Sequence, residues 1–118
     1  MKKEIDIHNR VKKFILRVIK MTRELPKTPE NKVFTTQIIR AAASVGANLQ
    51  EADGAHTKAD FLYSVNLSKK EAKETHFWLE LVSDSNPRLN SRMQAILNEG
   101  LEISKILSPI ILSGKKKI

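Results

Sequence analysis

Four stretches of this chain set apolar residues at steps of three and four, and prolines, a glycine or a Ser/Asp/Asn-rich turn separate them. Such steps return side chains to one side of an α-helix, whose period is 3.6 residues. No stretch alternates with period two for long enough to argue a strand. A chain patterned in this way must bury four helical stripes against one another, and the expected fold is all-α.

The first stripe is Ile7, Val11, Phe14, Ile15, Val18, Ile19, Thr22 and Leu25, predicting a helix over about 5–25. Pro26 and Pro29 in "LPKTPEN" end it, because proline lacks an amide donor and biases the preceding residue away from helix. Thr28 before Pro29 is also a cap for the next helix. That second helix, about 30–53, has Phe34, Ile38, Ala41, Ala42, Val45, Leu49 and Ala52 as its apolar side and Gly54 as its stop. In "AHTKADFL", Thr57 with Asp60 three residues later is a variant capping box opening a third helix, about 58–83.

The third seam, Phe61, Val65, Ser68, Ala72, Thr75, Leu79 and Val82, has the heptad spacing of bundle packing and is small in its middle. "SDSNP" at 83–87 is a turn, with Asn86 as N-cap and Pro87 as first helical residue. A fourth helix, about 87–112, follows on Met93, Leu97, Gly100, Ser104, Leu107 and Ile111, with Pro109 expected to kink or fray its last turn. Short connections favour antiparallel neighbours, so the expected architecture is an up-down-up-down four-helix bundle. At 118 residues it is one domain, followed by a basic tail at 113–118.

Charge then narrows the partners. The formal net charge is +8, and it is concentrated: Lys2, Lys3, Arg10, Lys12, Lys13, Arg17, Lys20 and Arg23 face only Glu4, Asp6 and Glu24 in the first helical segment. Arg10, Lys13, Arg17 and Lys20, at i, i+3, i+7 and i+10, form one longitudinal stripe able to track phosphates. Lys115, Lys116 and Lys117 add sequence-independent, salt-sensitive attraction to nucleic acid. The alternative is a solvated helix face with a solubilising tail. Tyr63, Phe77 and Trp78 lie on the third helix, away from the stripe, so recognition of RNA or DNA would be by backbone and shape rather than base stacking.

Several chemistries find no support in the residues. With no cysteine there is no disulfide, thiol catalysis or zinc knuckle. The Glu-x-x-His pattern of di-metal bundles fails, since Asp53 and Lys73 stand three residues before His56 and His76. Glu51, Asp53 and His56 cluster around Gly54, but such a turn reads as a cap before it reads as a metal site. No phosphate loop, dinucleotide fingerprint or nucleophile elbow is present, so neither an enzyme nor a cofactor is expected. The longest apolar run, "ILSPIIL", is too short to span a bilayer, and the start lacks a signal peptide's apolar core. No membrane partner and a cytoplasmic location are expected.

The second helix carries an unusual polar face. At about 100° per residue, Gln37, Arg40, Ser44, Asn48 and Glu51 fall within a stripe of roughly 80°, flanked by Ala43, Gly46 and Ala47. Small residues let other helices approach, and polar groups that approach must pair. This helix is expected to pack on more than one side, with its polar stripe in a hydrogen-bond network within the fold or between subunits. Tyr63, Leu67, Trp78 and Leu81 form a second apolar strip on the third helix, suited to a protein contact, unless Trp78 merely covers the bundle's own core.

"TTQIIRAAASVGANLQEADG" followed by "TKADFLYSVNLSKKEAKETHFWLEL" resembles the small bacterial four-helix bundle proteins encoded by intervening sequences of the 23S ribosomal RNA gene. The likeness covers nearly the whole chain, from "TRELPKTPEN" through Gln37, Arg40, Ala41, Ala42, Ser44, Asn48 and Glu51 to Phe61 and "KEAKETHFWL". It implies a homopentameric ring and a similarity to the accessory variability determinant of diversity-generating retroelements, a basic pentamer that binds nucleic acid and a reverse transcriptase. It carries over no catalytic residue. This chain departs from the pattern at Gly46, where many members have proline, and in placing its glycine late, at Gly54. Two functions follow as expectations: an oligomeric nucleic-acid adaptor, or a scaffold for a protein such as a reverse transcriptase.

Overall fold

The computed structural model describes the backbone of residues 6–113 and the side chains of residues 6–108. Its elements are α1 (Ile7–Arg23), α2 (Pro29–Asp53), α3 (Lys58–Ser85) and α4 (Asn90–Ser113), with a 3-10 turn at Pro87–Leu89 ahead of α4. No strand occurs among the described residues, and none of their helices is long and apolar enough to cross a membrane.

Caps set the three helix starts that they were expected to set or that an acid supplies. Asp6 accepts the Asn9 amide at 3.0 Å, Thr28 the Asn31 amide at 3.2 Å and Thr57 the Asp60 amide at 3.0 Å. Each satisfies an amide that has no partner inside its own helix. Asn86 behaves otherwise than expected. It makes no side-chain cap; its amide donates to Asn31 Oδ1 at 2.9 Å and to the Val82 carbonyl at 2.8 Å, and Asn31 Nδ2 donates back to Asn86 Oδ1 at 3.0 Å. Asn31 is buried and also donates to the Pro26 carbonyl at 3.0 Å, so one amide pair ties the α1–α2 connection to the end of α3.

One continuous core runs through all four helices, from Val11, Phe14 and Val18 on α1 to Ile103 and Leu107 on α4. Each such buried aliphatic or aromatic side chain stabilises the fold by about 1.5–3 kcal/mol. The broadest contact is α2 against α3, the smallest is α1 against α4, and the backbones of the pairs α1–α3 and α2–α4 nowhere come within 8 Å, Cα to Cα, among the described residues. The small middle of the α3 seam explains the first of these. Ala41, Ala42, Ser68 and Ala72 are all buried, and Ser68 Oγ donates to the Val45 carbonyl at 2.7 Å, a bond that requires close helix approach. At Gly46 an added Cβ would lie 3.1 Å from Ile15 Cδ1, so glycine there lets α1 lie close against α2.

The fourth seam differs from expectation. Met93, Ile96, Gly100, Ile103 and Leu107 are buried, whereas Leu97 and Ser104 are only half-buried. The helix is rotated so that two isoleucines enter the core in place of a leucine and a hydroxyl, which avoids burying a polar group. α4 continues through Pro109 to Ser113, close to the expected end at about 112; Ile111 has no described side chain.

Candidate nucleic-acid interface

Of the four cations of the α1 stripe one is held in an ion pair and three are in none, although the charge of Arg17 also helps to lower the Glu99 pKa. Arg10 Nε and Nη2 donate to Glu99 Oε2 and Oε1 of α4, both at 2.8 Å, in a bidentate pair. The hydrogen bonds from Arg10 hold the Glu99 carboxyl below its ordinary range, and Glu99 in turn raises the Arg10 pKa. A guanidinium committed in this way positions α1 on α4 and has its charge compensated by Glu99, with Nη1 left outside the pair. Lys13, Arg17 and Lys20 are exposed and form no ion pair among the described residues. From Lys13 to Lys20 the helix rises about 10 Å, close to three nucleotide steps of ~3.4 Å. Lys115, Lys116 and Lys117 lie outside the described residues.

Two further cation groups escaped the sequence reading. Arg92 of α4 stands with Arg17, Lys20 and Glu24 around a groove floored by Met21, Leu89, Met93 and Ile96. Its guanidinium pairs with Glu24 at 2.6 Å. Only tertiary structure brings Arg92 to α1, so spacing could not reveal it. On α3, Asn66, Leu67, Lys69, Lys70 and Lys73 line a shallow cleft. Here a signal existed in "NLSKKEAKE", where Lys69, Lys70 and Lys73 alternate with Glu71 and Glu74. The structure turns those two glutamates to Arg40 of α2, and the three lysines make no ion pair among the described residues.

Arg40 is the hub of the polar stripe. Its Nε donates to Gln37 Oε1 at 3.2 Å, its Nη1 to Glu71 at 3.4 Å and its Nη2 to Glu74. Glu74 also accepts the Trp78 indole N–H at 3.0 Å. Trp78 packs edge-on to Phe77 at 5.2 Å between centroids and tilted to Phe34 at 6.2 Å. Gln37, Arg40 and Trp78 are therefore brought together within one chain. Ser44, Asn48 and Glu51 are not part of that network: Asn48 donates to the Ser44 carbonyl at 2.9 Å, one turn back, and Glu51 is exposed. Ala43 and Ala47 also face outward, so a single chain does not enclose α2 on every side.

Phe77, Val33 and Tyr63 are more than half exposed, leaving apolar surface on α2 and α3 beside this network. Among the described residues no three His, Cys, Asp or Glu side chains converge as metal ligands, and Glu51, Asp53 and His56 are all exposed.

The family described as 23S rRNA-intervening sequence protein matches residues 3–109. Among solved structures, the chain is similar to a crystal structure from Bacteroides thetaiotaomicron VPI-5482, of a protein with unknown function from the S23 ribosomal protein family. The two are 33% identical with a TM-score of 0.81, over 89% of this chain and 97% of that one. No curated protein matches the chain.

Proposed function

Because the chain belongs to the 23S rRNA-intervening sequence protein family, we propose that it is a non-enzymatic, oligomeric nucleic-acid adaptor of the cytoplasm, with RNA as its preferred ligand. The observation that carries this reading is the exposed row Lys13, Arg17 and Lys20 along α1, which forms no ion pair among the described residues and has no acid between Ile7 and Arg23. The naming of 23S rRNA in the family's description favours RNA over DNA. Lys115, Lys116 and Lys117 extend the positive charge of the chain.

The contacts of α2 with α3, where Asn31 meets Asn86 and Arg40 meets Glu71 and Glu74, run in opposite directions along the two helices. That order supports the up-down-up-down path. Exposed Phe77, Val33, Ala43 and Ala47 support assembly of copies through the α2–α3 face, in our reading as a pentameric ring. Such a ring multiplies weak phosphate contacts by avidity. The relation to the accessory variability determinant of diversity-generating retroelements belongs to the same proposal.

Titration of structured RNA at 50 and 200 mM salt tests the adaptor. Three phosphate contacts per protomer predict affinity about 20–40-fold weaker at the higher salt. The triple variant Lys13→Glu, Arg17→Glu, Lys20→Glu should abolish binding while keeping the fold. Binding that is absent from the native protein, or indifferent to salt, rejects this reading.

A second reading, a scaffold for a protein partner such as a reverse transcriptase, is favoured by the groove between α1 and α4, which combines apolar and cationic surface. Copurification of a protein that survives nuclease treatment and is lost on charge reversal of α1 would select it.

A further inference from the structure

The α1–α4 groove is bounded by two clamps. At one end Gly100 brings α4 against Phe14, whose Cζ lies 3.4 Å from where a glycine Cβ would stand, and Arg10 grips Glu99 just beyond. At the other end Arg92 pairs with Glu24. Between them lies the groove, and α1 and α4 share the smallest of the interhelix contacts. The opening of about 280 Å³ has Met21, Leu89, Met93 and Ile96 as its floor, with Arg17, Lys20 and Arg92 facing a single carboxylate at its rim.

Its chemistry differs from that of a phosphate track. A nucleic-acid backbone has no use for a floor of two thioethers and two branched aliphatics, and no aromatic ring is there to stack a base. Flexible methionines accommodate varied apolar side chains and recur in grooves that take amphipathic helices. The stretches Arg17–Glu24 and Leu89–Ile96 each cover about two helical turns, or ~10 Å, room for anchors spaced three or four apart. We propose that this groove binds an acidic amphipathic helix of a partner protein, its leucine-type anchors on half-buried Met21 and Leu89, which rest on the buried Met93 and Ile96, and its carboxylates on Arg17 and Lys20. The inference rests on the scaffold reading and specifies its partner. Since the α1 and α3 backbones, and those of α2 and α4, are not neighbours, the groove lies across the molecule from the α2–α3 face and stays open if copies join there.

Fluorescence anisotropy of the full chain tests this with a labelled peptide of about twelve residues, glutamate-rich with leucine at helical spacing, and a twin carrying glutamine for each leucine. The two have equal charge, so their ratio isolates the floor. The leucine peptide should bind at least tenfold more tightly, and Leu89→Gln with Met21→Gln should bring that ratio to one. Arg17→Glu with Lys20→Glu should weaken both peptides. Equal binding of the two peptides by the native protein overturns the proposal, and needs no variant to be folded. So does a floor variant of unchanged circular dichroism that keeps the ratio, or one that loses oligouridine affinity, since the latter makes nucleic acid the occupant. The peptide ratio is read without RNA, so the adaptor reading can fail while this one stands, and the reverse.

Discussion

Arg10 shows how one residue can change meaning between sequence and structure. Read along α1 it belongs with Lys13, Arg17 and Lys20, yet Glu99, 89 residues away, claims the Nε–Nη2 edge of its guanidinium. The consequence is a pH dependence with a definite sign. A carboxyl whose folded pKa is depressed adds stability that is present above its ordinary value of 4.5 and lost as pH falls through the folded value. Glu99→Gln should therefore be less stable than the native chain at pH 7, by about 1 kcal/mol after allowance for solvent screening of the part-exposed pair. Below about pH 4 that difference should shrink, as read by thermal unfolding across pH. A gap that stays constant into acid would mean that the Glu99 charge contributes nothing.

At the scale of the helices, the Asn31–Asn86 pair joins two connections that the chain could have left independent. Asn31→Leu removes a buried donor and leaves the Asn86 amide short of its partner, at an expected cost of about 2–3 kcal/mol in urea unfolding with unchanged m-value. The double variant with Asn86→Leu should lose less than the sum of the single losses. This pair also marks where sequence reasoning stops. The α3 seam was legible at all seven positions because Phe61 through Val82 offers one dominant stripe. In α4, Leu97 with Ser104 competes with Ile96 with Ile103, one residue over, and only packing against α1 and α3 selects the phase. Asn86 was read as a cap because its actual partner lies 55 residues away. The polar stripe of α2 divides for the same reason: Arg40 found Glu71 and Glu74 across the helix interface, while Ser44 and Asn48 are joined only by a bond within their own helix.

For the whole molecule, the Arg40 network with exposed Phe77 and Val33 lies on α2 and α3, and the row Lys13, Arg17 and Lys20 with the groove lies on α1 and α4, where Leu16 and Leu101 are also exposed. Phe77→Glu should shift the protein toward monomer in native mass spectrometry without lowering its unfolding temperature by more than a few degrees, since the side chain is already more than half exposed. A native protein that is monomeric at tens of micromolar would remove the assembly altogether. The narrow seam between α1 and α4 has one more consequence. With only a modest contact to α2 and the least contact to α4, the first helix is the segment held by the fewest neighbours, so its amides should exchange with deuterium well before those of α2 and α3. The helix that carries Lys13, Arg17 and Lys20 is thus also the one easiest to lift, and any ligand that grips both walls of the cleft would act as a latch, slowing that exchange.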